Sequence, residues 1–247
     1  MKSVRLALFF GAIILFNTNI MAQEILEASE TEETLEMQEA DDEQNQEKKK
    51  LRIFFTAGLL GILNTHSGTE SATSPILFMP GFGINYNLFN NISLQPRLNF
   101  FYNYYLWNKD MALPAEVENR TATVFSALLD IPVLLRISTR HEKFSLQAGG
   151  GIAILARYGI LSSGVKEDDP NRDYPNRSAS DDVEDINSYM WENMRWIYPE
   201  LSANIMFGLN NGWLLGASGT LYLPLGSTLS GEILNETMLN ICVKLMY

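Results

Sequence analysis

The ten residues Met238-Leu239-Asn240-Ile241-Cys242-Val243-Lys244-Leu245-Met246-Tyr247 decide the fold. A β-strand turns successive side chains to opposite faces. Leu239, Ile241, Val243, Leu245 and Tyr247 therefore share one face, and Asn240, Cys242, Lys244 and Met246 share the other. The first face is apolar and aromatic; the second is largely polar. Such a strand, finished by an aromatic ring, suits the wall of a barrel in lipid, where the outer face meets hydrocarbon and rings sit at the interface.

The opposite end of the chain agrees with export. Lys2 and Arg5 precede an apolar run, Leu6 to Phe16, broken only by Gly11, and Ala22 offers a small residue for cleavage. That run is too short to span a bilayer, so residues 1–22 read as a secretory signal peptide. No Cys follows it to carry a lipid anchor, and no later segment is apolar for the ~20 residues a membrane helix needs. Residues 23–50 form an acidic tail. Its eleven acids oppose three lysines, a net of −8, with no aromatic ring. A segment so poor in apolar surface cannot offset its ordering entropy, so a disordered periplasmic tail is expected.

The rest of the acidity concentrates between Val165 and Asn193, where nine acids oppose three bases. The net charge of −11 thus belongs to a tail and a loop. It argues against nucleic acid as a partner, since such proteins carry a basic footprint. Cys242 is the single cysteine, so no internal disulfide is available.

From Leu51 onward the pattern predicts eight strands separated by turn residues. They are 51–63, 76–87, 92–107, 121–138, 144–161, 195–208, 213–225 and 236–247. Long and short connections alternate, as they do between the outer loops and periplasmic turns of membrane barrels. Asn210-Asn211-Gly212 is a strong hairpin signal, because Asn and Gly tolerate positive φ. An even strand count brings both ends of the barrel to one side, expected to be periplasmic. The alternation assigns Ile92, Leu94, Leu98 and Phe100 to lipid, with Ser93, Gln95, Arg97 and Asn99 facing the lumen. Aromatic belts are expected from Tyr86, Phe144, Phe207, Trp213 and Tyr247 at one rim. Tyr102, Tyr104, Trp107, Tyr158 and Trp196 are expected at the other.

With Pro80-Gly81-Phe82-Gly83, Asn90-Asn91-Ile92-Ser93-Leu94-Gln95-Pro96, Leu129-Asp130-Ile131-Pro132, Ala148-Gly149-Gly150-Gly151 and the terminal strand in view, the chain resembles a known family. It is similar to the small eight-stranded outer-membrane β-barrels of OmpA/OmpX type, over about Leu51 to Tyr247. The resemblance implies an antiparallel up-and-down barrel in the bacterial outer membrane, contacting lipid and engaged by the barrel assembly machinery through its C-terminal strand. It implies no shared chemistry. The acidic tail is a departure, since it is no folded peptidoglycan-binding domain.

The same alternation directs Arg52, Arg97, Arg136, Arg157 and Lys244 into the lumen with Asp130 and Glu200. The interior of an eight-stranded barrel is only wide enough for side chains, and buried charges must be paired. A salt-bridged plug is expected, with Asp130 and Glu200 each paired to Arg or Lys; a narrow pore for small solutes or ions is the alternative. A soluble lipocalin-like carrier would require the faces reversed. No catalytic set emerges. The two histidines, His66 and His141, fall at opposite ends of the barrel, and Ser67 beside His66 lacks a positioned third partner. Gly81–Gly83 and Gly149–Gly151 lack the context of nucleotide loops and read as places where chains approach closely. No cofactor is expected. Asp168, Asp169, Asp181, Asp182, Glu184 and Asp185, in the long acidic loop, are candidate ligands for a hard divalent cation. Loops on a rigid scaffold are also where recognition of an extracellular ligand is expected.

Overall fold

The structure is a computed structural model, and it describes residues 51–65, 72–89, 91–108, 110–116, 121–138, 143–160, 179–209, 212–229, 231 and 235–247. The expected signal peptide and acidic tail lie outside them, as do His66, Ser67, His141, Asp168 and Asp169.

Ten strands form one antiparallel sheet: β1 Leu51–Leu63, β2 Ile76–Phe89, β3 Ile92–Leu94, β4 Arg97–Asn108, β5 Met111–Pro114, β6 Thr121–Ser138, β7 Phe144–Ile160, β8 Ile197–Gly208, β9 Leu214–Tyr222 and β10 Thr237–Met246. Among the described residues two helices join them, α1 Ala179–Trp191 and α2 Leu225–Leu229. β3 and β4 are two halves of one stave. Both pair with β2 on one side and β6 on the other. The break falls at Gln95-Pro96, because Pro has no N–H to give the ladder. Neighbouring bonds hold the stave together there: Ile84 donates to the Pro96 carbonyl and Gln95 to the Pro132 carbonyl. β5 is a short hairpin extension of β4. Eight staves remain, and the ring closes where β1 pairs with β10.

The faces fall as the sequence predicts. Leu239, Ile241 and Val243 are 49%, 62% and 58% exposed, while Asn240, Cys242 and Lys244 are 1–3% exposed. The same division runs around the ring. Ile53, Phe55, Ile76, Phe78, Ile131, Val133, Leu135, Ile152 and Leu201 stand outside, and Gln95, Arg97, Asn99, Ser126, Asp130 and Ser202 are buried within. An apolar exterior around a polar interior excludes the lipocalin arrangement.

Rings collect at the end where the chain enters and leaves the barrel. Trp213 and Tyr247 lie 4.8 Å apart and Phe144 and Phe207 5.3 Å apart between centroids. At the loop end Tyr102 and Tyr158 face outward as expected. Trp107 does not. It turns inward and packs edge-on against Tyr189 of α1, 6.2 Å away, so it belongs to the cap rather than to a belt.

That cap corrects the sequence reading of one long acidic loop. Residues 179–191 are helix, and Asp181, Asp182, Glu184 and Asp185 ride on it. Ile186, Tyr189 and Met190 sit three to four residues apart on one face, the spacing of a helical stripe. They bury against Tyr105, Ala112, Ala122 and Val124 of the barrel mouth. Each such burial contributes about 1.5–3 kcal/mol, which outweighs the acidic composition. Asp181 and Asp182 stand in the first turn, where the helix dipole favours negative charge. The Asn187 amide then mimics a strand edge. Its Oδ1 accepts from Gly159 N at 2.7 Å and its Nδ2 donates to Gly159 O at 3.3 Å. Asn193 and Met194, just past the helix, take left-handed φ values of 51° and 59° and turn the chain back into β8.

Smaller differences have local causes. The seventh expected strand, β9, ends at Tyr222 rather than Leu225, where Pro224 leads into α2. Gly212 has the positive φ, 85°, that its hairpin demands. Gly149 and Gly151 face the lumen, and a Cβ at either would fall on the carbonyl oxygen of Val133 or Ile131 in β6. The Gly151→Ala variant should therefore lose about 1–3 kcal/mol, the usual cost of overpacking. Gly219→Ala, where a Cβ meets nothing within 4 Å, should be near neutral. Urea unfolding of the two variants side by side checks the contrast.

Candidate functional site: the lumen

The interior is built in layers, taken here from the end bearing Leu51 and Tyr247 towards the loop end. The first layer is a web of amides. Gln95 Nε2 donates to Asn85 Oδ1 at 2.6 Å and to Gln147 Oε1 at 2.9 Å. Asn204 Nδ2 donates to the same Gln147 oxygen at 3.0 Å, and Ser218 Oγ donates to Asn204 Oδ1 at 2.6 Å. Lys244 enters this layer from β10. It donates to Gln95 Oε1 and its ammonium stands 3.8 Å from the centre of the Phe54 ring.

The second layer holds the expected ion pair. Arg97 Nε donates to Asp130 Oδ2 at 2.7 Å, and Arg97 Nη2 bears on the same oxygen. Asp130 Oδ2 also accepts from Asn99 Nδ2 at 2.8 Å and from the Tyr222 hydroxyl at 3.1 Å. Arg97 reaches on to Thr220 Oγ1 at 3.3 Å and to the Tyr222 hydroxyl at 3.0 Å. Both charges are buried, and hydrogen bonds from β4 and β9 support the pair.

A third layer is apolar. Leu60, Ile62, Met79, Phe101, Leu128, Leu155 and Met238 pack across the bore, flanked by Tyr198 and Tyr222. Above it lies a second ion pair. Arg157 Nη1 reaches Glu236 Oε1 at 3.5 Å and Tyr105 OH at 3.4 Å, while Arg157 Nη2 donates to the Arg195 carbonyl at 2.9 Å. Tyr198 OH donates to Glu236 Oε2 at 3.4 Å. Glu236 holds a left-handed φ of 65° just before β10, and its amide donates to the Leu63 carbonyl. The α1 cap closes the mouth above, with the Arg195 guanidinium 3.8 Å over the Tyr189 ring.

The structure thus brings Arg97, Asp130, Arg157, Glu200 and Lys244 together in the lumen, all buried. Arg52 and Arg136 face the lumen as predicted but are half-buried near the open end. The expected partners of Glu200 are a correction. It is not paired to Arg or Lys; it stands across from Tyr222 in the β8–β9 register, and neither carboxylate oxygen makes a hydrogen bond of ordinary geometry, although the Ile131 amide faces it. Lys244 is likewise paired to an amide and a ring. Arg157 takes Glu236 instead, a residue absent from the predicted network. Its signal lay in the alternation, because Glu236 is in phase with Asn240 and Lys244. The lumen retains a cavity of about 10 Å³ between the first two layers, room for about one water. Among the described residues no three His, Cys, Asp or Glu side chains come together to hold a metal ion.

Eight antiparallel staves, greasy outside and polar within, define a transmembrane β-barrel of the small outer-membrane kind. No family model matches the chain, and no curated protein sequence matches it. Among solved structures it is similar to Neisserial surface protein A, at 8% identity over 79% of this chain and 95% of that one, with a TM-score of 0.47. It is also similar to Ail, the attachment invasion locus protein of Yersinia pestis, solved with the heparin analogue sucrose octasulfate, at 10% identity over 80% and 97% with a TM-score of 0.38. The outer membrane enzyme PagL is similar at 10% identity over 79% and 97%, with a TM-score of 0.35. Likeness at this level assigns no role to any residue here.

Proposed function

We propose that this protein is a closed barrel of the bacterial outer membrane that acts through its surface, as a structural or surface-interaction protein, and not by conducting solutes. The observation that carries the reading is the filled bore. An amide web, an ion pair, an apolar layer, a second ion pair and a helical cap follow one another along it, and the cavity between the amide web and the first ion pair has room for about one water. A bore filled by side chains at every level offers no continuous path for a hydrated ion.

In this reading the short turns and both ends of the barrel face the periplasm, and α1 with the long connections faces outward. Recognition would fall to that outer end, where Asp181, Glu184, Trp191, Glu192 and Met194 are exposed on or beside a helix that the barrel mouth holds rigid. Neither a reaction nor a cofactor belongs to it. Purified protein in planar bilayers should give no steady conductance. Large, stable, ion-selective channels from pure protein would overturn the closed barrel in favour of the pore. Protease added to intact cells should cut in the connections near α1 and spare the short turns; the opposite pattern would invert the orientation.

A further inference from the structure

We propose that the small lumen cavity beside Lys244 is a binding site for one small inorganic anion of chloride size. Gln95, Arg97, Ser202, Asn204, Ser218 and Lys244 supply its polar wall, and no Asp or Glu lines it. Arg97 and Lys244 are both buried, so bulk water does not screen their charges. The charge of Arg97 is matched by Asp130, which does not line the cavity. Lys244 has no such match. Its partners are the Gln95 oxygen and the Phe54 ring, and among the described residues no carboxylate pairs with it.

A buried ammonium without a counter-charge is costly. The donor inventory shows how an anion would relieve it. An ammonium carries three N–H donors and a guanidinium five. Gln95 Oε1 accepts one from Lys244, leaving donors on Nζ. Arg97 spends Nε on Asp130 and Nη2 on Thr220 and Tyr222, whereas Nη1 has the Cys242 sulfur at 3.9 Å. Ser218 and Asn204 are tied to each other and to the amide web, which fixes the wall. A cavity of about 10 Å³ admits roughly one water-sized sphere. Chloride is larger than that sphere and fits only where the side chains of the wall give way slightly; sulfate, phosphate and carboxylates are larger still. An anion, unlike water, supplies the counter-charge that the ammonium form of Lys244 lacks.

Bromide is the probe. Crystals of the folded barrel grown in bromide should show a bromine anomalous peak between Lys244 Nζ and Arg97 Nη1. In detergent solution the thermal midpoint should fall by a few degrees when chloride is replaced by gluconate at equal ionic strength, because a ligand of the folded state alone stabilises it. The Lys244→Met variant should erase both the peak and the difference. A site occupied by water with no bromine signal would overturn the proposal. So would a bromine peak with identical midpoints, which would mean binding at crystal concentration only. Both wild-type measurements stand on their own should Lys244→Met fail to fold.

Discussion

Replacing Asp130 by alanine should destabilise the barrel by about 3–5 kcal/mol, the usual result of removing one partner from a buried ion pair. The size follows from how much converges on a single carboxylate oxygen. Arg97, Asn99 and Tyr222 all donate to Asp130 Oδ2, so its loss strands a guanidinium and two neutral donors at once. Urea unfolding of the refolded protein, followed by tryptophan fluorescence or gel mobility, reads the change as a lower midpoint at unchanged slope. The double variant Arg97→Met with Asp130→Leu should recover much of the loss, because no charge is then left buried. Recovery should be incomplete, since Asn99 Nδ2 and Tyr222 OH still lack an acceptor at about 1–3 kcal/mol each. A loss below about 1 kcal/mol for Asp130→Ala would mean that the pair does not hold the bore together.

Arginine at Ile241 should cost about 2–4 kcal/mol in a bilayer, whereas arginine at Leu51 should cost about 0–1. Both positions are exposed on the outer wall, at 62% and 51%. They differ in depth. Ile241 lies in the middle of β10, across from Leu59 and Gly219, while Leu51 opens β1 at the rim beside Tyr86. Water cannot reach a mid-wall guanidinium without deforming the membrane; at the rim the side chain extends into the headgroups. Unfolding of each variant from lipid vesicles gives the two values. Equal, small costs at both positions would mean that this wall meets water.

The wall was legible in the sequence because a barrel strand obeys one rule along its whole length. Ile92 to Phe100 alternates without a slip, and the structure keeps that phase through the break at Pro96. The interior was half legible for the same reason. Phase alone put Arg97, Asp130, Arg157, Glu200 and Lys244 inside. Phase does not say which of them meet, because partners inside a closed ring come from strands far apart in the chain. Arg157 finds Glu236 across the bore, 79 residues on, while Glu200, on the strand next to β7, goes without an ion pair. The cap was hidden by composition. Asp181, Asp182, Glu184 and Asp185 make the segment read as solvated, yet Ile186, Tyr189 and Met190 carry a helical period that a search for strands passes over.

One feature of the ring governs how it can be assembled. Ile53 and Tyr247 exchange hydrogen bonds through both backbone amides, so the seam joins the two most distant parts of the barrel sequence. Every other seam joins staves that follow one another in the chain; the β1–β10 seam alone joins the first to the last. Until that meeting, two lines of unsatisfied N–H and C=O groups flank a sheet that already displays an oily side. Such an intermediate is prone to adhere to others like it and folds slowly. Shielding those two raw margins while the cylinder is still open is thus the service this polypeptide most needs from its surroundings.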